Sequence, residues 1–353
     1  GLARGWRARQ RFEFPLLIPM WLILLASLIA TLTGFVLVDS VVAIVQEIYL
    51  FLWFLVVTNV LRGLRLADLD WLLKIWSMVA LVEATTTILG MLRIGPSLFY
   101  TAPFEERVIS KGGFTRAIGT YVNPNSAAAY LSIGFFVLLA TSWPVWLRSV
   151  LGTYLLVGMF GTGSLAALFS TIGCLVLLVV IFLAKDRWSI LQQVGLVSIG
   201  VGVLSVMASM LGLKGLPVAG FRSGAGLSLF ELTVGRFSRS LTSRFALLRK
   251  AWSIYSLRPL GTGPNSSVSY LATLHNDYAA FLFERGPLGA VGWLWIVGSA
   301  LWAPLRAAYR RPDGHGRWQM LALGAGFLAC AMNAFVHEIS HFRQVWMLMA
   351  FVF

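Results

Sequence analysis

The stretch FPLLIPMWLILLASLIATLTGFV, from Phe14 to Val36, decides the fold class of this chain. It contains no charged side chain, and it is longer than the about 20 residues that an α-helix needs to cross a hydrocarbon core about 30 Å thick. Similar apolar stretches predict further transmembrane helices at 39–60, 72–92, 123–143, 146–161, 164–184, 189–212, 287–305, 318–337 and from 342 onward. We therefore predict an all-α polytopic membrane protein with about ten visible transmembrane helices.

The composition excludes a soluble globular domain. Hydrophobic residues make up 58% of the 353 residues and charged residues 12%, whereas about a quarter of a soluble domain is charged. A membrane β-barrel would instead show short segments of alternating polarity. Cys174 and Cys330 both lie inside apolar stretches, so we expect small buried side chains and no disulfide. Because the chain starts at Gly1 and stops within an apolar stretch, we expect segments of a longer protein to be missing at both ends.

Positive charge distinguishes the two sides of the membrane. The formal net charge is +14, and lysine and arginine accumulate on the cytoplasmic loops of membrane proteins. If every predicted span crosses once, one side receives the short basic loops that contain Arg4, Arg7, Arg9, Arg11, Arg62, Arg65, Lys74, Arg148, Lys185, Arg187, Arg306, Arg310, Arg311 and Arg317. The outer side then carries two longer loops, 93–122 and 213–286.

These loops divide the chain into three predicted parts. Residues 1–212 form transmembrane helices with the outer loop 93–122. Residues 213–286 form a large outer loop with short helices, and residues 287–353 form C-terminal transmembrane helices. The loop 213–286 is strongly basic, which an anionic partner explains and contact with lipid head groups explains equally well. We expect membrane lipids among the partners, and no nucleic acid.

A first candidate anion site precedes the span at 123–143. In the segment RAIGTYVNPNS, Asn123 is predicted to cap the helix and Pro124 to occupy its first position. Free amide groups at a helix N-terminus bind phosphate, and Arg116 lies just upstream in the sequence. An ordinary capped helix beside a surface arginine is an equal alternative.

A second candidate is Arg244. Thr242 or Ser243 is predicted to cap a helix that Pro259 ends. Arg244 would then lie in the first turn, where a cation opposes the helix dipole unless an anion binds beside it. A solvated arginine would tolerate the same position at a cost of under about 1 kcal/mol. The packed face of this helix is predicted to consist of Phe245, Leu248 and Trp252.

His275 is the candidate catalytic group. Histidine exchanges protons near neutral pH, and a positioned general base contributes about 10²- to 10⁴-fold to a rate. His275 precedes Asn276 and Asp277 at a predicted loop-to-helix junction on the outer side. The alternative is a surface histidine bonded to a neighbour. Shortly after this junction, we predict that Gly286 ends one helix and Pro287 begins the next.

The segment His337-Glu-Ile-Ser-His341 matches the H-E-x-x-H signature of zinc proteases. A protease of this kind needs the motif on a helix and a third ligand. The nearest acidic loop residue, Asp313, falls on the predicted cytoplasmic side. We therefore favour an interfacial polar corner, with Arg343 and Trp346 as its anchors.

Taken together, these segments resemble the superfamily of O-antigen ligases and O-antigen polymerases. The motifs that carry the resemblance are Arg116-x-x-Gly-x-x-x-Asn-Pro-Asn125, Ser243-Arg244 with Trp252, Pro259-Leu-Gly-Thr-Gly263, His275-Asn276-Asp277-Tyr278, Glu284-Arg-Gly286 and His341-Phe-Arg343-x-x-Trp346. Each motif is weak, whereas their order and their outer placement are much more specific. The resemblance covers the chain from about residue 115 to its end.

The resemblance implies a fold similar to that of class C glycosyltransferases, in the bacterial inner membrane with the active site facing the periplasm. Its members transfer a glycan from undecaprenyl diphosphate, ligases to lipid A-core and polymerases to a second lipid-linked glycan, with no cofactor. For this chain it implies His275 as the catalytic base, and Arg116 and Arg244 as ligands of the diphosphate. The second-rank candidates are Arg249, Arg258, Arg343, Asn125, Asn276 and Asp277.

One feature departs from the family pattern, and several functions stay open. Many relatives carry a Ser-Arg pair near the outer end of the sixth span, where this chain has Gly163-Ser164-Leu165-Ala166.

A ligase-like transferase is our first expectation, and an O-antigen or exopolysaccharide polymerase is the alternative. A flippase for the same lipid would place charges near the membrane midplane beside broken helices, where the sequence offers little beyond Glu47 and Glu83. The zinc protease is the most remote alternative.

Overall fold

The computed structural model of the chain describes residues 12–92, 94–96, 117–121, 123–183, 229–271, 274–311 and 314–353. In chain order, the helices in these ranges are α1 (Leu17–Thr33), α2 (Leu37–Arg62), α3 (Leu66–Met91), α4 (Pro124–Ala140), α5 (Val145–Gly161), α6 (Leu165–Leu183), α7 (Leu229–Tyr255), α8 (Ser266–Leu271), α9 (Asp277–Arg310), α10 (Gly314–Asn333) and α11 (Arg343–Val352). The predicted span at 189–212 lies outside the described residues, and each other predicted span overlaps a helix. The all-α prediction is confirmed for the described part of the chain.

Several of these helices have the length and composition of membrane spans. By these criteria α2, α3 and α9 are long and apolar enough to cross a membrane, and α1, α4, α5 and α6 are shorter apolar helices. Large apolar side chains remain exposed on their outer faces, for example Trp21, Leu32, Val38 and Leu52. An apolar surface this extensive is typical of helices that face lipid, so the chain is that of a membrane-embedded protein.

The chain divides into two compact units. One unit comprises Gly1–Leu64, Leu227–Pro304 and Ala331–Phe353, and the other comprises Arg65–Gly226 and Leu305–Cys330. In the second unit, α4 contacts α3, α5 and α6 and is buried along most of its length. A Cβ atom added to Gly134 of α4 would lie 2.4 Å from the Cβ of Ala80 in α3. Small residues therefore set the close approach of these helices, as is common in membranes.

Two local predictions are confirmed in this second unit. The side chain of Asn123 accepts a hydrogen bond from the backbone N–H of Asn125 at 2.8 Å, and Pro124 occupies the first position of α4. Cys174 and Cys330 are buried, as their apolar surroundings in the sequence predicted.

In the first unit, α1 and α2 form a helical hairpin, and α11 packs along α2. The ring of Trp346 lies 5.2 Å from that of Phe51 and 6.1 Å from that of Phe54, between centroids. Trp346 is only 3% exposed, and its indole N–H donates to the carbonyl of Ser340 at 2.6 Å. The expectation that Trp346 is an interfacial anchor is therefore wrong, because the ring fills the contact between α11 and α2.

The predicted start of the helix around Arg244 is also wrong. Helix α7 runs from Leu229 to Tyr255, so Thr242 and Ser243 lie in its interior and Arg244 is not in its first turn. A capping side chain marks a helix start only where the backbone before it is non-helical. Because Arg244 lies in the interior of α7, the helix dipole does not favour an anion beside it.

The packed face of α7 differs in part from the predicted one. Leu248 is partly buried as predicted, but Phe245 is 66% exposed and Trp252 57% exposed. The residues of α7 that complete the buried face are Ala251 and Tyr255, which pack with Leu274, Ala280 and Phe283. This cluster joins the C-terminal half of α7 to the start of α9, and thereby fixes the position of the segment around His275.

Helix α9 is broken at Gly286, as the sequence Gly286-Pro287 predicted. Gly286 has φ 68° and ψ −171°, which is not a helical conformation. The loop before α8 docks at this break, because the backbone N–H groups of Thr262 and Gly263 donate to the carbonyls of Phe283 and Glu284, each at 3.0 Å. The break therefore supplies two carbonyl groups that hold the loop in place.

Replacing Gly286 by alanine is expected to destabilise the protein by at least about 1–3 kcal/mol, because its φ and ψ lie in a region that is essentially restricted to glycine. The added Cβ would also lie 2.8 Å from the carbonyl oxygen of Leu260. Thermal unfolding of the detergent-purified protein measures the effect. Gly298→Ala is the matched control, because an added Cβ there meets no atom within 4 Å. Equal midpoints for the two variants would contradict this account of the break.

Candidate functional site

His275 lies in the connection to α9, and a second connection, residues 334–342 between α10 and α11, packs against it. The backbone N–H of His275 donates to Oε1 of Glu338 at 3.1 Å. Two residues on, the backbone N–H of Asp277 donates to the carbonyl of Ala334 at 2.9 Å. Two segments about 60 residues apart in sequence therefore form one structure.

Asp277 holds these two connections together. Its Oδ2 accepts from the backbone N–H groups of Ile339 at 2.8 Å and Ser340 at 3.0 Å, and its Oδ1 accepts from the hydroxyl of Ser340 at 2.8 Å. The side chain is buried, with 1% of the residue exposed. Asn276 caps α9, because its Oδ1 accepts from the backbone N–H of Ala279 at 2.9 Å. Both second-rank candidates thus organise the backbone beside His275.

His275 itself has an uncommon backbone conformation. Its φ is 50°, in the left-handed region, which is uncommon for a residue other than glycine. The hydrogen bond to Glu338 on one side and the capped start of α9 on the other fix this conformation. Such strained residues cluster at functional sites. The imidazole is half-buried, and its centroid lies 6.3 Å from that of His337.

Arg244 and His275 are close enough to interact electrostatically. Burial lowers the pKa of His275 below its ordinary value, and the positive charge of Arg244 lowers it further. Arg244 is half-buried and reaches this position from the interior of α7. At neutral pH the histidine is therefore mainly uncharged, within electrostatic range of a permanent cation. An uncharged imidazole is able to accept a proton, and a guanidinium binds phosphate oxygens.

The remaining arginine candidates are placed differently. Arg258 lies over the ring of Phe35, 4.0 Å from its centroid, and donates to the carbonyl of Thr33. Arg343 lies over the ring of Tyr49 at 5.2 Å. Both side chains therefore contact the α1–α2 hairpin, which gives them a structural role. Arg249 is exposed on α7.

Two candidates are not among the described residues of the first unit. Asn125 lies in the first turn of α4, which belongs to the second unit. Arg116 lies outside the described residues, so its part in the predicted site has no structural description. The backbone resumes at Ala117, whose N–H donates to the carbonyl of Gly161 at 3.1 Å.

The His337–His341 segment has a different geometry from a zinc-protease motif. It consists of turns and irregular backbone, so its two histidines do not lie one turn apart on a helix. Its glutamate, Glu338, accepts backbone hydrogen bonds from Leu274 and His275. Within the ranges that the structure describes, no group of three potential metal ligands occurs. We predicted a polar corner at this segment, but we did not predict the contact of Glu338 with the loop that contains His275.

A cavity of about 320 Å³ lies beside the Asp277–Ser340 contact. Part of its wall is a buried ion cluster, in which Nε of Arg285 donates to Glu47 at 2.6 Å and Nη1 donates to Glu284 at 2.9 Å. Ser27 donates to Glu47 at 2.8 Å, and Ser267 donates to Glu284 at 2.5 Å. The cluster thus links α1, α2 and α8 to the break in α9. The sequence showed the charges but not their pairing.

Comparison with known proteins adds no family assignment: no protein-family model and no curated protein sequence matches the chain. The resemblance therefore depends on the motifs themselves. In the first unit, the motif residues Asp277 and Glu284 line one cavity together with Glu338, which accepts a hydrogen bond from the backbone of His275.

Proposed function

We propose that the chain is a membrane glycosyltransferase that moves a glycan from undecaprenyl diphosphate to an acceptor hydroxyl, as the resemblance implies. The main support is an uncharged histidine, His275, within electrostatic range of a permanent cation, Arg244. This pair provides the two functions that the reaction needs, namely a base for the acceptor and a charge for the leaving group. Arg116 keeps the diphosphate-binding role that the resemblance implies.

The proposed reaction is a direct displacement. A nitrogen of His275 takes the proton of the acceptor hydroxyl while that oxygen forms a bond to the anomeric carbon. The bond from the anomeric carbon to the phosphate oxygen breaks, and its electron pair leaves with the diphosphate. Arg244 stabilises the added negative charge, because a guanidinium binds two phosphate oxygens at once. Attack from one face inverts the anomeric centre.

We also propose a membrane architecture for the chain. About ten transmembrane helices would hold the segment 213–286 on the periplasmic side of a bacterial inner membrane, in the manner of class C glycosyltransferases. The support is the run of apolar helices and the placement of the basic loops on the other side. Ligase-like transfer to lipid A-core is our first choice. Polymerase-like transfer to a second lipid-linked glycan is the alternative.

A flippase for the same lipid is a second candidate, favoured by a specific observation. The ion cluster of Glu47, Arg285 and Glu284 lies beside a broken helix and lines a cavity. Glu47 follows the start of α2 by ten residues, or about 15 Å along the helix. Charges at such a depth beside broken helices are typical of transporters.

Incubation with synthetic donor separates these functions. The purified chain is mixed with an undecaprenyl diphosphate oligosaccharide and with either lipid A-core or excess donor, in the presence of EDTA. A transferase forms a glycosylated acceptor, and the acceptor that is used separates a ligase from a polymerase. Lipid translocation in vesicles without any new glycosidic bond would support the flippase instead.

The pH dependence of transfer is a further prediction. A base acts in its uncharged form, so activity rises as pH increases through the pKa of the base. Because burial and the charge of Arg244 lower the pKa of His275, the rise in kcat/KM is expected below the ordinary histidine value of about 6.5. Among the described residues, His337, Glu338 and Asp277 are further ionisable groups near His275.

Arg244 variants test this assignment of the pH dependence. In Arg244→Gln the charge is gone, so the pKa of His275 rises and the remaining activity shifts its acidic limb to higher pH. In Arg244→Lys the charge is retained, so the limb is expected to stay closer to that of the wild type. An acidic limb that is identical in all three proteins would show that another group titrates.

A further inference from the structure

We propose that the cavity beside Asp277 and Ser340 binds an uncharged sugar ring of the acceptor. This inference rests on the proposed transferase function and names the acceptor subsite within it. The cavity lies in one compact unit, between α1, α2, the start of α9, and the connection 334–342.

The size and lining of the cavity suit a single sugar ring. Its volume of about 320 Å³ lies at the lower end of the range of about 300–1,000 Å³ that is typical of small-molecule sites. Phe51, Phe281 and Trp346 supply aromatic surface, and carboxylates supply hydrogen-bond acceptors. A sugar ring has the matching chemistry, since its C–H faces are apolar and its edge carries hydroxyl donors.

The charge of the lining excludes the diphosphate from this cavity. Four carboxylates line it, those of Glu47, Asp277, Glu284 and Glu338, against one guanidinium, that of Arg285. Arg285 already bonds two of these carboxylates, so it has little capacity left to neutralise a phosphate. Phosphate oxygens would therefore meet mainly acceptor oxygens, whereas the hydroxyl groups of a neutral ring would find hydrogen-bond acceptors there.

Glu338 is the carboxylate best placed to receive a hydroxyl group. Asp277 is bonded by Ile339 and Ser340, and Glu47 and Glu284 are bonded by Arg285 and serines. Glu338 accepts backbone N–H groups of Leu274 and His275. The two oxygens of a carboxyl group offer more acceptor positions than these two N–H groups fill, so Glu338, which lines the cavity, retains acceptor capacity.

The same carboxylate connects the cavity to the proposed base. Glu338 lines the cavity and accepts a hydrogen bond from the backbone N–H of His275. A sugar ring that donates a hydrogen bond to Glu338 would therefore lie close to His275. The geometry thus divides the substrates, with the donor diphosphate at Arg244 and the acceptor ring in the cavity. Gln46, an exposed side chain of α2 that also lines the cavity, adds an amide at its mouth.

Binding measurements on the purified full chain in nanodiscs test this division without requiring catalysis. Saturation-transfer NMR uses a panel of neutral methyl hexopyranosides and N-acetylhexosaminides, and a separate titration uses undecaprenyl diphosphate without glycan. At least one glycoside is expected to bind the wild type. Glu338→Gln should weaken that binding at least tenfold, and Gln46→Leu several-fold, while undecaprenyl diphosphate still binds normally.

Matched variants keep the result interpretable. Glu13→Gln is the control for Glu338→Gln, because Glu13 is exposed and pairs with Arg62 instead. Arg244→Ala should give the opposite pattern, with weaker binding of undecaprenyl diphosphate and unchanged binding of the glycoside. Normal undecaprenyl diphosphate binding also shows that each cavity variant is folded.

Two outcomes would overturn the subsite. Either no glycoside in the panel binds the wild type, or glycoside binding is the same in Glu338→Gln, Gln46→Leu and Glu13→Gln. The proposed function fails differently, through absence of glycosyl transfer or of Arg244-dependent binding of undecaprenyl diphosphate. The two failures are therefore separable.

Discussion

His275→Asn is expected to lower the transfer rate by about 10²- to 10⁴-fold, which is the usual contribution of a positioned general base. Asparagine is chosen because it enters the left-handed region more readily than most residues, and His275 has a φ of 50°. The variant therefore removes the base while its backbone N–H still donates to Glu338. The measurement is kcat with synthetic undecaprenyl diphosphate oligosaccharide at saturating acceptor.

Two further measurements show whether this loss is chemical. Undecaprenyl diphosphate should still bind the variant with an affinity within a few-fold of the wild type, because Arg244 is unchanged. His315→Asn is the matched control, since His315 is exposed near the start of α10, and its transfer rate should not change. If His275→Asn keeps more than about a tenth of the activity, the base is another group.

Arg285→Met is expected to cost about 3–5 kcal/mol of stability, because it leaves buried carboxylates without their cation. Arg285 and Glu284 are each less than a tenth exposed, and Glu47 is equally enclosed. The variant should therefore be recovered from membranes in low yield, with a strongly reduced thermal midpoint. Arg65→Met is the matched control, since Arg65 pairs with Asp68 on an exposed surface, and its midpoint should stay unchanged.

A combined variant distinguishes charge burial from simple loss of packing. In Glu47→Gln/Glu284→Gln/Arg285→Met no buried charge lacks a partner, and neutral replacements of buried ion clusters often retain stability. This triple variant should therefore be more stable than Arg285→Met alone. If it is equally unstable, the contribution of Arg285 comes from packing and not from its charge.

Much of the fold could be predicted because each apolar helix has its own local signal. The absence of charge in Phe14–Val36 predicted α1, and the pair Gly286-Pro287 predicted the break in α9. The start of α7 could not be predicted from Thr242 and Ser243, because these residues cap a helix only where the preceding backbone is not helical. The exposed faces of Phe245 and Trp252 were missed for a related reason. Burial depends on the elements that surround a helix, and apolar residues also face outward in membrane proteins.

Only part of the candidate site could be predicted from the sequence, because its contacts join segments that are distant in sequence. His275 and Arg244 were selected by residue type and by the resemblance. The bond between Glu47 and Arg285 spans 238 residues, and that between His275 and Glu338 spans 63 residues. The sequence carried one available signal, since Glu338 lies in a polar interruption between two apolar stretches. The contact of Glu338 with His275 could not be predicted, because it depends on how α9 and α11 pack in the first unit.

A cryo-electron microscopy structure of the full chain with undecaprenyl diphosphate tests the central claim most directly. The account predicts that a phosphate oxygen lies about 3 Å from the guanidinium of Arg244, a normal length for a charge-assisted hydrogen bond. The imidazole of His275 should face the same ligand. Diphosphate density beside Arg285 in the cavity, or at any position that Arg244 does not reach, would contradict the account.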